Sequence, residues 1–185
     1  NDGNAYTGGH FYGSIDGNAG SGTTTLAAAS SGMHAYIIKN SADGSLVWAK
    51  AFQGTGTAEV ESVSVDASGN VYSVGRFTNT VDFDPGSGTS NITSTSNNDM
   101  FASKLDINGN FVWAKKLSGS TFISPSKVAI DPSGNPIYVG YFSGTVDFNP
   151  NAGATNLTGS SNSFVLKLDA SGNFVFVKSF VATSS

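Results

Sequence analysis

The sequence predicts an all-β fold made of repeated four-stranded antiparallel units. Three observations predict it: a composition suited to short strands and tight turns, a set of anchor residues recurring at constant steps, and Asp/Asn-Gly turns placed between apolar runs. Charged residues make up 12% of the chain, against about 25% in an average globular domain. Gly (23 residues), Ser, Thr and Asn take their place, while aromatics reach 11%, too many for a disordered chain. Runs of Glu, Lys, Ala and Leu, which long helices favour, do not occur.

The anchors define three copies. Gly9-His10-Phe11, Gly75-Arg76-Phe77 and Gly140-Tyr141-Phe142 recur at steps of 66 and 65, each preceded by Gly-Asn (Gly3-Asn4, Gly69-Asn70, Gly134-Asn135). Five residues after each Phe stands an Asp: Asp16, Asp82 and Asp147. Trp48-Ala49-Lys50, Trp113-Ala114-Lys115 and Phe176-Val177-Lys178 correspond, and nine residues before each of these aromatics stands Lys39, Lys104 or Lys167. The implied units are 1–52, 53–117 and 118–185.

Within the middle copy, strands are expected at 60–66, 71–77, 100–106 and 111–117, where β-branched and aromatic residues concentrate. Segments 66–70 and 106–110 join the first and last pairs; Gly and Asn tolerate the positive φ of a tight turn, and Asp accepts turn N–H groups. Segments 131–135 and 169–173 repeat this in the third copy. Between the second and third strands each copy carries a polar insert: 12–32, 78–99 and 143–163. Insertions at one place in every repeat emerge on one face, the default binding surface. Four antiparallel strands per repeat is the pattern of a propeller blade. The first copy starts inside its first turn, so its first strand is expected to be missing and the edge at 6–11 to be unpaired or completed by a strand borrowed from elsewhere. Known propellers have at least four blades, so about three blades of an incomplete or larger propeller are expected.

Function classes narrow by charge. Net charge is −4, with nine scattered basic residues, so there is no cluster to neutralise a phosphate backbone and nucleic acid is excluded as a partner. There is no Cys, which rules out a disulfide-scaffold domain. No apolar run approaches the roughly 20 residues of a membrane helix, and membrane insertion is not expected.

The segments 63–75, with Val65-Asp66-Ala67-Ser68-Gly69-Asn70-Val71-Tyr72, and 100–113, with Lys104-Leu105-Asp106-Ile107-Asn108-Gly109-Asn110, resemble a bacterial β-propeller repeat family of secreted and surface proteins. The intervening Val81-Asp82-Phe83-Asp84-Pro85-Gly86 is similar to versions from Bacteroidota, many of them type IX secretion cargo. The resemblance covers essentially the whole chain. It implies an extracellular or cell-surface location and carries no shared catalytic site.

Candidate chemistry is sparse. The turn acids Asp2, Asp43, Asp66, Asp106, Asp131 and Asp169 read as turn-formers, and no two acids stand out as a glycosidase pair. Asp16 with Asn18, Asp82 with Asp84, and Asp147 with Asn149 offer hard oxygens before Gly-rich loops. That makes calcium the one candidate cofactor, although two or three oxygens fall short of the six to eight it prefers. An Asx-type turn closed by Pro85 or Pro150 is the structural alternative. His10 and His34 have no nucleophile partner. Trp48, Trp113 and Phe176 are expected buried between sheets, and Lys39, Lys104 and Lys167 to snorkel or pair with acids. The sequons Asn91-Ile92-Thr93 and Asn156-Leu157-Thr158, like Thr25-Leu26-Ala27, read as short strands inside the inserts. The expectation is a non-catalytic adhesion scaffold engaging protein or carbohydrate at the cell surface, or other copies of itself. A fibre or stalk subunit completed by neighbouring chains is the alternative, and a fragment of a secreted carbohydrate-active enzyme the third.

Overall fold

The computed structural model describes residues 3–96 and 98–181. Among them are fifteen strands and no helix, hence no helix long and apolar enough to cross a membrane. The strands form antiparallel sheets, none of which closes on itself.

The first copy contributes β1 (Ala5–Phe11), β2 (Ser14–Asp16), β3 (Thr25–Ala27), β4 (His34–Asn40) and β5 (Leu46–Gly54). The second contributes β6 (Ala58–Val65), β7 (Val71–Phe77), β8 (Thr80–Asp82), β9 (Asn91–Thr93), β10 (Asp99–Leu105) and β11 (Phe111–Gly119). In the third, β12 (Phe122–Ile130), β13 (Pro136–Asp147), β14 (Asn156–Leu168) and β15 (Phe174–Phe180) suffice, because the two insert strands are continuous with β13 and β14. The second copy runs β6-β7-β10-β11 across its sheet and the third β12-β13-β14-β15. The first copy has β1-β4-β5, with β1 at the sheet edge bonded only to β4 among the described residues. Asn1 and Asp2 lie outside those residues.

Four of the described hairpin turns are built the same way. Asp66 N–H donates to the Asn70 carbonyl and Gly69 N–H to the Asp66 carbonyl, a closure that requires Gly69 at φ 82°. Asp66 Oδ1 accepts the N–H groups of Ser68 and Asn70, and its Oδ2 accepts the Asn70 side-chain amide. Asp106, Asp131 and Asp169 repeat the set. The first copy departs from it. Ser41 takes the Asp position, and Asp43 instead accepts the Ser41 hydroxyl at 2.5 Å and Ser45 N–H at 3.1 Å.

The last strands run past the expected ends because each receives the insert of the next copy. Gln53 and Gly54 of β5 pair with Asp82 and Val81, and Ser118 and Gly119 of β11 pair with Asp147 and Val146. The core likewise lies between copies. One cluster joins Ala35, Ile37 and Phe52 to Val60, Phe77, Phe83 and Phe101. The other joins Val74, Trp113 and Leu117 to Val128, Phe142, Phe148 and Phe164. Consecutive sheets therefore hide each other's apolar faces, which none could bury alone.

The expected burial of the repeated aromatics is corrected at one end. Trp113 is buried and Trp48 half-buried, but Phe176 is 38% exposed. The physical reason is position: among the described residues no further sheet follows the third copy.

Candidate functional site

The insert acids sit where the hairpins leave their sheets, and all three do the same work. Asp16 Oδ1 accepts the N–H groups of Asn18 and Thr24, both at 2.9 Å. Asp82 Oδ1 accepts those of Asp84 (3.0 Å) and Ser90 (2.7 Å), and Asp147 Oδ1 those of Asn149 (3.0 Å) and Thr155 (2.9 Å). One carboxylate oxygen thus clamps both ends of an eight-residue loop. The second member of each pair makes a smaller turn: Asn18, Asp84 and Asn149 accept from Gly20, Gly86 and Asn151. Asp82 and Asp84 also line a shallow hollow of about 190 Å³ beside Ala51 and Gln53 of the preceding copy. Among the described residues no three His, Cys, Asp or Glu side chains converge as a metal site. Asp16, Asp82 and Asp147 each engage one oxygen with loop backbone.

A testable consequence follows. Asp82→Ala strips the acceptor from two backbone N–H groups and is expected to cost about 1–3 kcal/mol. Asp82→Asn keeps an acceptor oxygen and should cost less. Thermal melting of parent and both variants, with calcium and then with chelator, checks this. A calcium-dependent rise in the parent that the variants lose would instead place a cation at the loop base.

At the opposite end of the sheets, where the hairpin turns lie, polar clefts of about 400 and 580 Å³ repeat at the two joints. In the second, Lys104 Nζ donates to the Ala170 carbonyl at 3.2 Å and lies 4.9 Å from the Tyr72 ring centre. Tyr72 donates to the Gly134 carbonyl at 3.1 Å, with Asp66 Oδ2 at 3.4 Å. Burial, then the neighbouring Asp66 carboxylate, holds the Tyr72 phenol well above its ordinary value. In the first cleft Lys39 Nζ donates to the Ile107 carbonyl at 3.3 Å, over Tyr6. Among the described residues only Lys167 of the three makes the expected ion pair, with Asp131 at 2.7 Å.

These contacts set the acid response. The Lys167 ammonium holds Asp131 well below the usual carboxylate range. The Thr24 N–H lowers Asp16, and the Ser41 hydroxyl lowers Asp43. Burial pulls Asp66, Asp106 and Asp169 upward, but the amide donors of their turns outweigh it and the net shift is down. Each folded-state pKa lies below the ordinary 3.8. The stabilisation is therefore complete above that value and is lost as pH falls through the lower folded ones. Denaturation midpoints should be level between about pH 7 and 5 and drop steeply below about pH 4.

Two sets of residues escaped sequence reading. His34, Asp99 and Asn162 occupy one repeat position and are all buried. Asp99 accepts from Thr95 N–H (2.7 Å) and the Ser96 hydroxyl (2.5 Å), closing the insert. His34 Nε2 lies 3.2 Å from the Ser30 hydroxyl and 3.3 Å from the Ser30 carbonyl. His34 and Asp99 each bond back to the end of their own insert through different side chains, and identity matching cannot see that. Phe83 and Phe148, between the paired acids, are fully buried plugs; their recurrence was the available signal. His10 lies at the surface, 3.7 Å from Glu59. No family model matches the chain, and no curated protein matches it significantly.

Proposed function

We propose that the chain is a non-catalytic, extracellular interaction module made of consecutive β-propeller blades, whose polar inserts engage carbohydrate or protein at the cell surface. The observation that carries this reading is the use of the recurring acids. Asp16, Asp82 and Asp147 hold loop backbone, and Asp66, Asp106, Asp131 and Asp169 hold turns, so the repeat conserves loop scaffolding rather than a reacting pair. Because the inserts join second to third strands, they leave the sheets at the end opposite the hairpin turns. That gives them a common rim of exposed Ser, Thr, Asn and Gly, which hydrogen-bond without heavy desolvation cost. The blade reading is supported by the four-strand order of the second and third copies and by cores that lie between sheets. Type IX export and a Bacteroidota-like surface setting follow the sequence resemblance.

The test immobilises the chain on glycan and matrix-protein arrays while a parallel assay monitors sugar release from the same glycans. Binding without product is expected, weakened about fivefold by Ser87→Ala with Thr89→Ala, two exposed insert positions. Product release, or no binding to either panel, would overturn the proposal.

A further inference from the structure

Every joint inside the chain has two halves. The leading half offers a Lys, an aromatic and the end of a last strand; the following half offers a turn carbonyl, a turn glycine and the edge of an insert strand. At the first joint Lys39 Nζ and Trp48 Nε1 both donate to the Ile107 carbonyl, at 3.3 and 3.1 Å. At the second, Lys104 Nζ and Trp113 Nε1 both donate to the Ala170 carbonyl, at 3.2 Å each. Gly109 and Gly172 are buried beneath these aromatics: a Cβ on either would meet Trp48 or Trp113 Cδ2 at 3.1 Å.

Among the described residues, each half also occurs once with no other copy packed on it. On the third copy, Phe176 is 38% exposed where Trp113 is 8%, and Phe180 is 59% exposed where Phe52 and Leu117 are each 1%. Lys167 turns back to Asp131. On the first copy, Gly44 stands where Gly109 and Gly172 stand, yet it is exposed and nothing lies within 4 Å of its would-be Cβ. Beside it, Ala42 occupies the place of Ile107 and Ala170. Among the described residues the β2 edge pairs with β3 alone, whereas β8 pairs with both β9 and β5.

We infer that the exposed face of the third copy docks head-to-tail onto the first copy of a second molecule of this chain. The occupant is set by continuity with the two internal joints: the same chain carries the missing half in repeat-equivalent positions. Lys167 would exchange Asp131 for the Ala42 carbonyl, Phe176 would seat on Gly44, and Val181 would pair with Asp16 as Gln53 pairs with Asp82. The contact is weaker than the internal joints. Gly17 replaces the plugs Phe83 and Phe148, Asn40 replaces Leu105 and Leu168, and Phe176 has no N–H to donate. The inference rests on face-to-face packing of the copies and not on what the inserts bind, so either can fail without the other.

Sedimentation of the chain between about 1 μM and about 1 mM tests it, with two exposed-site variants whose folding is checked by circular dichroism. Phe176→Asp with Phe180→Asp disables the leading half. Gly44→Asn fills the seat with a residue that tolerates positive φ. The parent should form dimers and larger species, and each variant alone should be monomeric. An equimolar mixture of the two should give one-to-one dimers and nothing larger. Phe176→Trp, which restores the N–H donor, should tighten association about fivefold. A parent that stays monomeric throughout overturns the inference. So does a Gly44→Asn chain that still dimerises fully, which would mean like faces meet, or larger species that survive in both variants.

Discussion

Phe83→Ala is expected to lower the free energy of unfolding by about 3–5 kcal/mol, the cost of deleting a fully buried Phe side chain. The reason lies in where the ring sits. It approaches Phe52 of the first copy at 5.3 Å between ring centres, and Phe77 and Phe101 of its own copy at 5.4 and 4.8 Å. The side chain therefore closes the joint between two sheets, and its removal leaves a cavity lined by three rigid aromatics that collapse poorly. Phe148 has the same surroundings in Phe142 and Phe164, at 5.2 and 4.9 Å, and the same cost is expected. Urea denaturation of both variants beside Phe180→Ala, an exposed control, measures it. A loss at Phe83 no larger than the control's would mean that the insert is not anchored through its aromatic.

The first copy explains how far sequence could reach. Its insert has Gly17 where the others carry Phe83 and Phe148, so the anchors located the hairpin but not its weakened grip. Strands and turns were legible because runs of β-branched and aromatic residues and Asp-x-x-Gly-Asn turns are local, and local hydrogen bonds close the turns. The clamp role of Asp16, Asp82 and Asp147 was legible only as one of two readings, since a carboxylate before a Gly-rich loop suits a turn or a cation equally well. It took the second N–H, eight residues away, to decide what the first oxygen does. The joints were the least legible. Trp48 and Trp113 announce themselves by recurring, but the Ile107 and Ala170 carbonyls that accept from them are backbone atoms at positions with no shared side chain. The exposure of Phe176 has the same origin: its chemistry matches a buried site, and only the absence of a following sheet among the described residues uncovers it.

The repeated glycine of the Gly-x-Phe motif gives the second large effect, and a control built into the same chain. Opposite Gly75, the register of β6 slips between Val60 and Ser62, and opposite Gly140 that of β12 slips between Pro125 and Lys127. Each first strand thus bulges by one residue toward its neighbour, as a β-bulge does when two residues oppose one. A Cβ on Gly75 would lie 1.8 Å from the Glu59 carbonyl oxygen and 2.7 Å from the Phe101 ring; on Gly140 it would lie 2.3 Å from the Ser124 carbonyl oxygen and 2.9 Å from the Phe164 ring. Backbone in a paired strand cannot step aside, so Gly75→Ala forces the bulge out of register and should cost about 3 kcal/mol or more, the upper end of overpacking losses. Gly9 occupies the same place in β1, whose outer edge carries no described strand. The three atoms nearest its Cβ would all belong to the Tyr36 side chain, at 2.9–3.1 Å, with no backbone among them, and that ring is half-buried. Gly9→Ala should therefore cost less than about 1 kcal/mol, within the range of mild substitutions. The difference between the two variants, read from denaturation midpoints under identical conditions, isolates the bulge from the aromatic that covers the glycine in all three copies. Equal losses at Gly9 and Gly75 would show that the ring, and not the neighbouring strand, demands glycine.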